Sequence, residues 1–315
     1  MNKKNLFFLI KLVFGIGLLL YLALVIARPR EIAAVIAAAS WPLLVLAFAL
    51  HAFGFLISAR RWKLILDRQG AGFSHGQLLR SLLVGSFFNL FLPTRFGGDI
   101  VRVSDTRRIG SGVTGSLAVV VYERMSGIVA LLLFALLSSL LKIGFLRQMP
   151  ILAVSLLVSL SGVLLLLLAW KKLPRGFLAR RPCRRPWGRK LLDRLDAFHG
   201  IILDFISQRD LSARVFFWAM LLQLNVVLHY FLIGQALRLE RIPLLDYFFA
   251  IPIMLFVLSF PISINGLGVR DLFLVQLFTT YGYPAQFALA FSLLDLAFNV
   301  VLGIIGGLIY IFRGK

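Results

Sequence analysis

The sequence predicts an all-α, polytopic membrane helix bundle. Three observations carry that expectation: an excess of apolar residues, their grouping into blocks of membrane length, and basic residues gathered between those blocks. Hydrophobic residues make up 60% of the 315 and charged residues 15%, against about 45–50% and about 25% in soluble domains. Mean hydropathy is +0.92. Runs such as Leu12 to Ala27, Trp41 to Ser58, Ile151 to Trp170 and Leu293 to Phe312 approach the roughly 20 residues that cross a bilayer core as a helix.

Taken in order, the expected spans cover residues 6–27, 41–59, 115–141, 151–170, 214–237, 244–262 and 286–311. Two shorter apolar segments, 78–92 and 267–280, have the length of half-membrane helices. The expectation is therefore about seven or eight spans plus one or two re-entrant half-helices. The first thirty residues carry Lys3, Lys4 and Lys11 around an apolar stretch without a persuasive small-x-small cleavage site, so they are read as an uncleaved first span.

The net charge of +21 does not point to nucleic acid, because the cations lie between apolar blocks instead of on a soluble basic module. It fits a positive-inside bias and an affinity for anionic lipids. The segment 171–214 holds twelve Lys/Arg against four Asp and is expected to be cytoplasmic. Within a single transmembrane domain, 1–315, the basic segment 171–213 then separates a first half, 1–170, from a second half, 214–315. Counting spans from Lys3 and Lys4 and counting back from 171–214 agree only if 78–92 enters and leaves on one side. Within the basic segment, Leu191 to Ile206 has the spacing of an amphipathic interfacial helix. Pro174, Pro182 and Pro186 break helices just before it. One cysteine, Cys183, permits no internal disulfide, and no cluster has metal-ligand spacing; no cofactor is implied.

A Gly/Pro-containing interruption adjoins each shorter segment. The first reads Asn89-Leu90-Phe91-Leu92-Pro93-Thr94-Arg95-Phe96-Gly97-Gly98-Asp99-Ile100-Val101-Arg102, the second Pro261-Ile262-Ser263-Ile264-Asn265-Gly266-Leu267-Gly268-Val269-Arg270-Asp271. Aligning Pro93 with Pro261 sets Gly98 on Gly266 and Arg102 on Arg270, a shared P-x(4)-G-x(3)-R spacing consistent with a two-fold internal repeat. Paired Gly/Pro-interrupted segments mark the sites of repeat-built transporters. At each copy the proline ends one helix, glycines permit an unusual turn, and a new helix begins with free N–H groups and a positive dipole end. An arginine one turn in adds a bidentate fork suited to phosphate. Asp99 and Arg102 also have the spacing of an internal ion pair, as do the neighbours Arg270 and Asp271, and both readings stay open.

Glu123 and Arg124 lie inside a predicted span, where ionisable residues call for a partner. Glu123 can pair with Arg95, Arg102 or Arg270, or act as a proton-linked switch. Asp295, Asn299, Gly303 and Gly307 share a polar, small helix face suited to close packing. Asn225 and His229 form a similar pair, with no carboxylate at metal-site spacing. Arg60-Arg61-Trp62-Lys63 reads as an interfacial anchor of aromatic belt and snorkelling cations.

Arg61-Trp62-Lys63, the Asn89 to Arg102 segment, Tyr122-Glu123-Arg124 and Asn265 to Asp271 occur in an order that resembles the flippase-like membrane region of the lysylphosphatidylglycerol synthase family. The resemblance implies a multi-pass protein of the bacterial cytoplasmic membrane that translocates a lipid. Its expected ligand is an anionic phospholipid or polyprenyl-phosphate lipid, with a lipid-modifying enzyme as a partner. The expected head-group residues are Arg95, Gly97, Gly98, Asp99, Arg102, Glu123, Arg124, Asn265, Gly266, Gly268, Arg270 and Asp271. The sequence read here runs to Lys315 without a soluble aminoacyl-transfer domain, so lysyl transfer is not carried over and no catalytic residue is assigned. Two alternatives remain: a membrane-embedded transferase with Asp99 or Glu123 as general base, and an accessory subunit in lipid, hopanoid or polyprenyl-linked glycan synthesis.

Overall fold

The computed structural model describes residues 29–91, 97–107, 112–141, 186–259 and 268–312, with scattered positions between 154 and 177. Among the described residues the regular structure is helical. In chain order the helices are α1 (Pro29–Ala37), α2 (Trp41–Asp67), α3 (His75–Phe91), α4 (Gly97–Thr106), α5 (Gly112–Leu141), α6 (Pro186–Ser207), α7 (Arg209–Ala236), α8 (Leu244–Val257), α9 (Val269–Thr280) and α10 (Ala285–Phe312).

Four of these, α2, α5, α7 and α10, are long and apolar enough to cross a membrane, so the protein is a polytopic helical membrane protein. Helix α8 is apolar but has only 14 residues and carries Pro252. The expected span 6–27 and most of 151–170 lie outside the described residues. The two short segments are helices of 17 residues in α3 and 12 in α9.

The halves interleave. Helix α2 packs along α7, α3 along α10, and α5 along α8. Exchanging the halves by pairing α2 with α7, α3 with α8, α4 with α9 and α5 with α10 turns the α3–α10 contact into the α8–α5 contact. The same exchange turns α4–α5 into α9–α10, also in contact. The reciprocal neighbours extend the sequence echo from two short motifs to whole helices.

Local chemistry fixes the starts of the two short helices that follow the interruptions. Gly268 precedes α9 with φ of 79°, a backbone state that side chains rarely tolerate, and its N–H donates to Asp271 Oδ2 at 2.8 Å. At α4, Gly98 N–H donates to Asn89 Oδ1 at 2.7 Å. Each α3-to-α4 and α9 start is thus held by a side-chain oxygen that satisfies an otherwise orphan N–H.

Helix α4 crosses α3 where neither has a side chain. A Cβ on Gly85 would lie 3.0 Å from Gly98 Cα, and one on Gly98 would lie 2.9 Å from the Gly85 carbonyl oxygen. Because the obstacle is backbone, Gly85→Ala is expected to lower stability by about 1–3 kcal/mol. A reduced unfolding midpoint of the detergent-solubilised protein checks this, and an unchanged one refutes the close crossing.

Helix α6 confirms the amphipathic reading of 191–206. Ile202 and Phe205 are buried, with the Phe205 ring 5.2 Å from Tyr122 of α5. Leu191, Leu195 and Trp187 are exposed.

Candidate functional site

Two clusters of buried charge flank one cavity. The first lies on α2, α4 and α5. Glu123 is buried, and its two carboxylate oxygens are divided between two arginines: Arg61 donates to Oε1 from Nη2 at 2.9 Å and from Nε at 3.2 Å, and Arg102 Nη2 donates to Oε2. Arg102 also reaches Asp99 Oδ1 at 3.4 Å, and Arg124 pairs with Asp99 Oδ2 at 2.5 Å. The Arg102 guanidinium sits 4.3 Å above the Trp62 ring, a cation–π contact in a desolvated setting.

The second cluster lies on α7, α9 and α10. Arg270 Nη1 donates to Asp295 Oδ2 at 2.5 Å and its Nη2 to the Ser292 carbonyl at 3.1 Å. Asp271 accepts from Gly268 N–H and from the Ser292 hydroxyl. His229 Nε2 is 3.5 Å from Asp295 Oδ1. Arg270, Asp271, Asp295 and His229 are all buried.

Between the clusters is a cavity of about 490 Å³, within the range of small-molecule sites. Gly98, Asp99, Arg102 and Arg124 face it from the first half, and Arg270 and Asp295 from the second. Five of the expected head-group residues therefore meet at one place. Glu123 stands behind them, holding Arg102. Gly97 opens α4, while Gly268 and Asp271 form the start of α9 behind Arg270. Arg95, Asn265 and Gly266 lie outside the described residues.

The two clusters carry opposite surplus charge. Among the described residues, Arg61, Arg102 and Arg124 face Asp99 and Glu123 in the first, leaving one positive charge. In the second, Asp271 and Asp295 face Arg270, leaving one negative charge. Nε of Arg102 and Nε of Arg270 make no hydrogen bond among the described residues. Burying charge in a membrane protein demands compensation, so the first cluster favours an anion and the second a cation.

The internal-pair and ligand readings of Asp99 and Arg102 are compatible, since the pair at 3.4 Å is long and Arg102 spends its shortest bond on Glu123. Glu123 pairs with Arg102, one of the three expected partners, and with Arg61, which sequence reasoning assigned to the membrane surface. That assignment is corrected: α2 continues to Asp67, eight residues past the expected span end, so Arg61 and Trp62 lie inside the bundle at 6% and 0% exposure. The glycine face of α10 packs on α3, with Phe87 and Leu90 over Gly307 and Gly303. Asn299 bonds back to the Asp295 carbonyl of its own helix at 2.7 Å. Asp295 makes the interhelical bonds instead.

Sequence spacing also missed that a carboxylate joins His229. His51, His229 and Asp295 come from three helices and have donor atoms within 4.8 Å of one another. The one available signal was that each is a polar residue within an apolar span.

A family model described as the lysylphosphatidylglycerol synthase TM region matches residues 8–307. Searches for significant matches among curated proteins and among solved structures find none.

Proposed function

Because the chain belongs to the lysylphosphatidylglycerol synthase TM region family, we propose that it translocates a lipid with an anionic or modified head group across a bacterial cytoplasmic membrane. The lipid phosphate binds on the Arg102 and Arg124 side of the cavity. What supports this reading is the convergence of both Gly/Arg helix starts on one polar cavity in an otherwise apolar bundle. The first cluster's surplus positive charge matches a phosphate, and guanidinium forks offer paired donors to its oxygens. The start of α4 at Gly97 and Gly98 adds the positive end of the helix dipole. The reciprocal packing of the halves supports a repeat-built transporter in which two matching elements move about a central site.

A transferase using Glu123 as general base is disfavoured, because its carboxylate is held by Arg61 and Arg102 behind the cavity wall, out of reach of a proton on a bound substrate.

The test is head-group translocation of a labelled anionic phospholipid in proteoliposomes, followed by chemical quenching of the outer leaflet. Arg124 is the least buried arginine of the first cluster, its side chain 35% exposed, so Arg124→Gln perturbs the fold least. Loss of one charge-assisted bond, about 1.5–3 kcal/mol, predicts a fall in translocation of roughly tenfold or more. Wild-type protein that moves lipid no faster than protein-free vesicles overturns the reading.

A further inference from the structure

The second cluster has more negative than positive charge and contains two histidines that the phosphate site does not use. We propose that His51, His229 and Asp295 form a site for a zinc-class divalent cation at the wall of the head-group cavity. The first argument is donor chemistry. Two imidazoles and one carboxylate suit Zn²⁺ and its late first-row neighbours, and three protein ligands leave a position open to an exogenous oxygen.

Orientation is the second argument. His229 Nδ1 lies 2.9 Å from the Ala47 carbonyl oxygen; a carbonyl only accepts, so Nδ1 carries a proton, and Nε2, which faces Asp295 Oδ1 at 3.5 Å, is the ring nitrogen that can give its lone pair to a metal in place of a proton. Metal-binding histidines are held in this way by an outer partner. Asp295 is divided similarly: Oδ2 takes the Arg270 bond at 2.5 Å, while Oδ1 faces His229. The third histidine atom, His51 Nε2, is buried with no hydrogen-bond partner among the described residues, although its ring lies 4.8 Å from that of His229. A buried imidazole nitrogen without a partner is costly, and a metal ion would satisfy it.

Charge is the third. Arg270, Asp271 and Asp295 are the ionised groups from α9 and α10, and they sum to one negative charge. A divalent cation reverses it and faces the cavity. The donor atoms, within 4.8 Å of one another, must close to the roughly 3.4 Å spacing set by about 2.0–2.1 Å bonds in a tetrahedral site. Rotation of the His51 ring, which Nε2 does not tether, provides that closure. The open position then takes a phosphate oxygen beside the arginines, which deepens the translocase reading, but metal binding itself requires no lipid.

The test uses the full chain in detergent, stripped of metal with a chelator and titrated with Zn²⁺ by calorimetry, then with Co²⁺ by visible absorption. One ion per chain is expected, with d–d bands of a low-coordinate Co²⁺ site and two imidazoles in the zinc X-ray absorption spectrum. His51→Gln loses ring contacts with Phe55, His229 and Phe298 but no hydrogen bond of Nε2, and its metal-free melting temperature is measured beside its metal affinity as the control for folding. The substitution should weaken Zn²⁺ by more than the 10–100-fold typical of outer-partner changes. Failure of the wild type to bind either ion, a spectrum without imidazole ligands, or equal affinity in His51→Gln overturns the proposal. Since no lipid is present, these outcomes are independent of whether translocation is observed.

Discussion

Glu123→Ala is expected to destabilise the protein by about 3–5 kcal/mol, the cost of stripping a buried ion pair of one partner. The substitution removes the acceptor shared by Arg61 and Arg102. Arg102 retains Asp99 at 3.4 Å, but Arg61, 6% exposed, loses the carboxylate to which its Nε and Nη2 both donate. Arg61→Met should cost much less: Glu123 keeps Arg102, and a flexible apolar chain of similar reach replaces the guanidinium. Equilibrium unfolding in mixed micelles, followed by tryptophan fluorescence, separates the two variants. Equal effects would mean that Glu123 is not the hub of the cluster.

Arg270→Ala is the corresponding change in the second half, and its effect should have the same size for the opposite reason. It leaves Asp295 and Asp271, both buried, without the guanidinium that lies beside each, and removes the donor to the Ser292 carbonyl. A loss of about 3–5 kcal/mol follows from unpaired buried charge. Adding Asp295→Asn should return part of it, so the double variant is more stable than the sum of the singles by about 0.5–3 kcal/mol, the range for directly paired residues. Additivity would show that Arg270 and Asp295 are neighbours without energetic coupling. Arg270→Lys keeps the charge but not the fork that spans Asp295 and the Ser292 carbonyl, so it should fall between wild type and alanine.

Much of the architecture was legible in residue order because bilayer thickness imposes length and apolarity on each span. The four long helices, the two short ones and the amphipathic α6 all follow from run length and periodicity. Helix ends were less legible: α2 runs on through Arg60 to Asp67, since a helix does not stop where its charge begins if a buried carboxylate awaits it. Asp99, Arg102 and Arg270 were readable as candidates because glycine and proline mark the helix starts that carry them, and Arg124 because it is a charged residue inside a span. Arg61, His51, His229 and Asp295 were not. Arg61 sits in a basic cluster that reads as a span end, and the other three sit in apolar runs; what distinguishes each is a neighbour from another helix, Glu123 for Arg61 and one another for His51, His229 and Asp295.

The pairing of α3 with α10 has a consequence for biosynthesis. Helix α3 is only 17 residues long, and much of its apolar face is covered by the glycines of α10, which lies roughly two hundred residues later in the chain. At about 5–20 residues per second, α3 waits on the order of 10–40 s after emergence for the helix that completes it. During that interval the nascent chain holds an incompletely packed helix and the start of a buried arginine cluster. This is the window in which membrane quality-control proteases have their best opportunity to act.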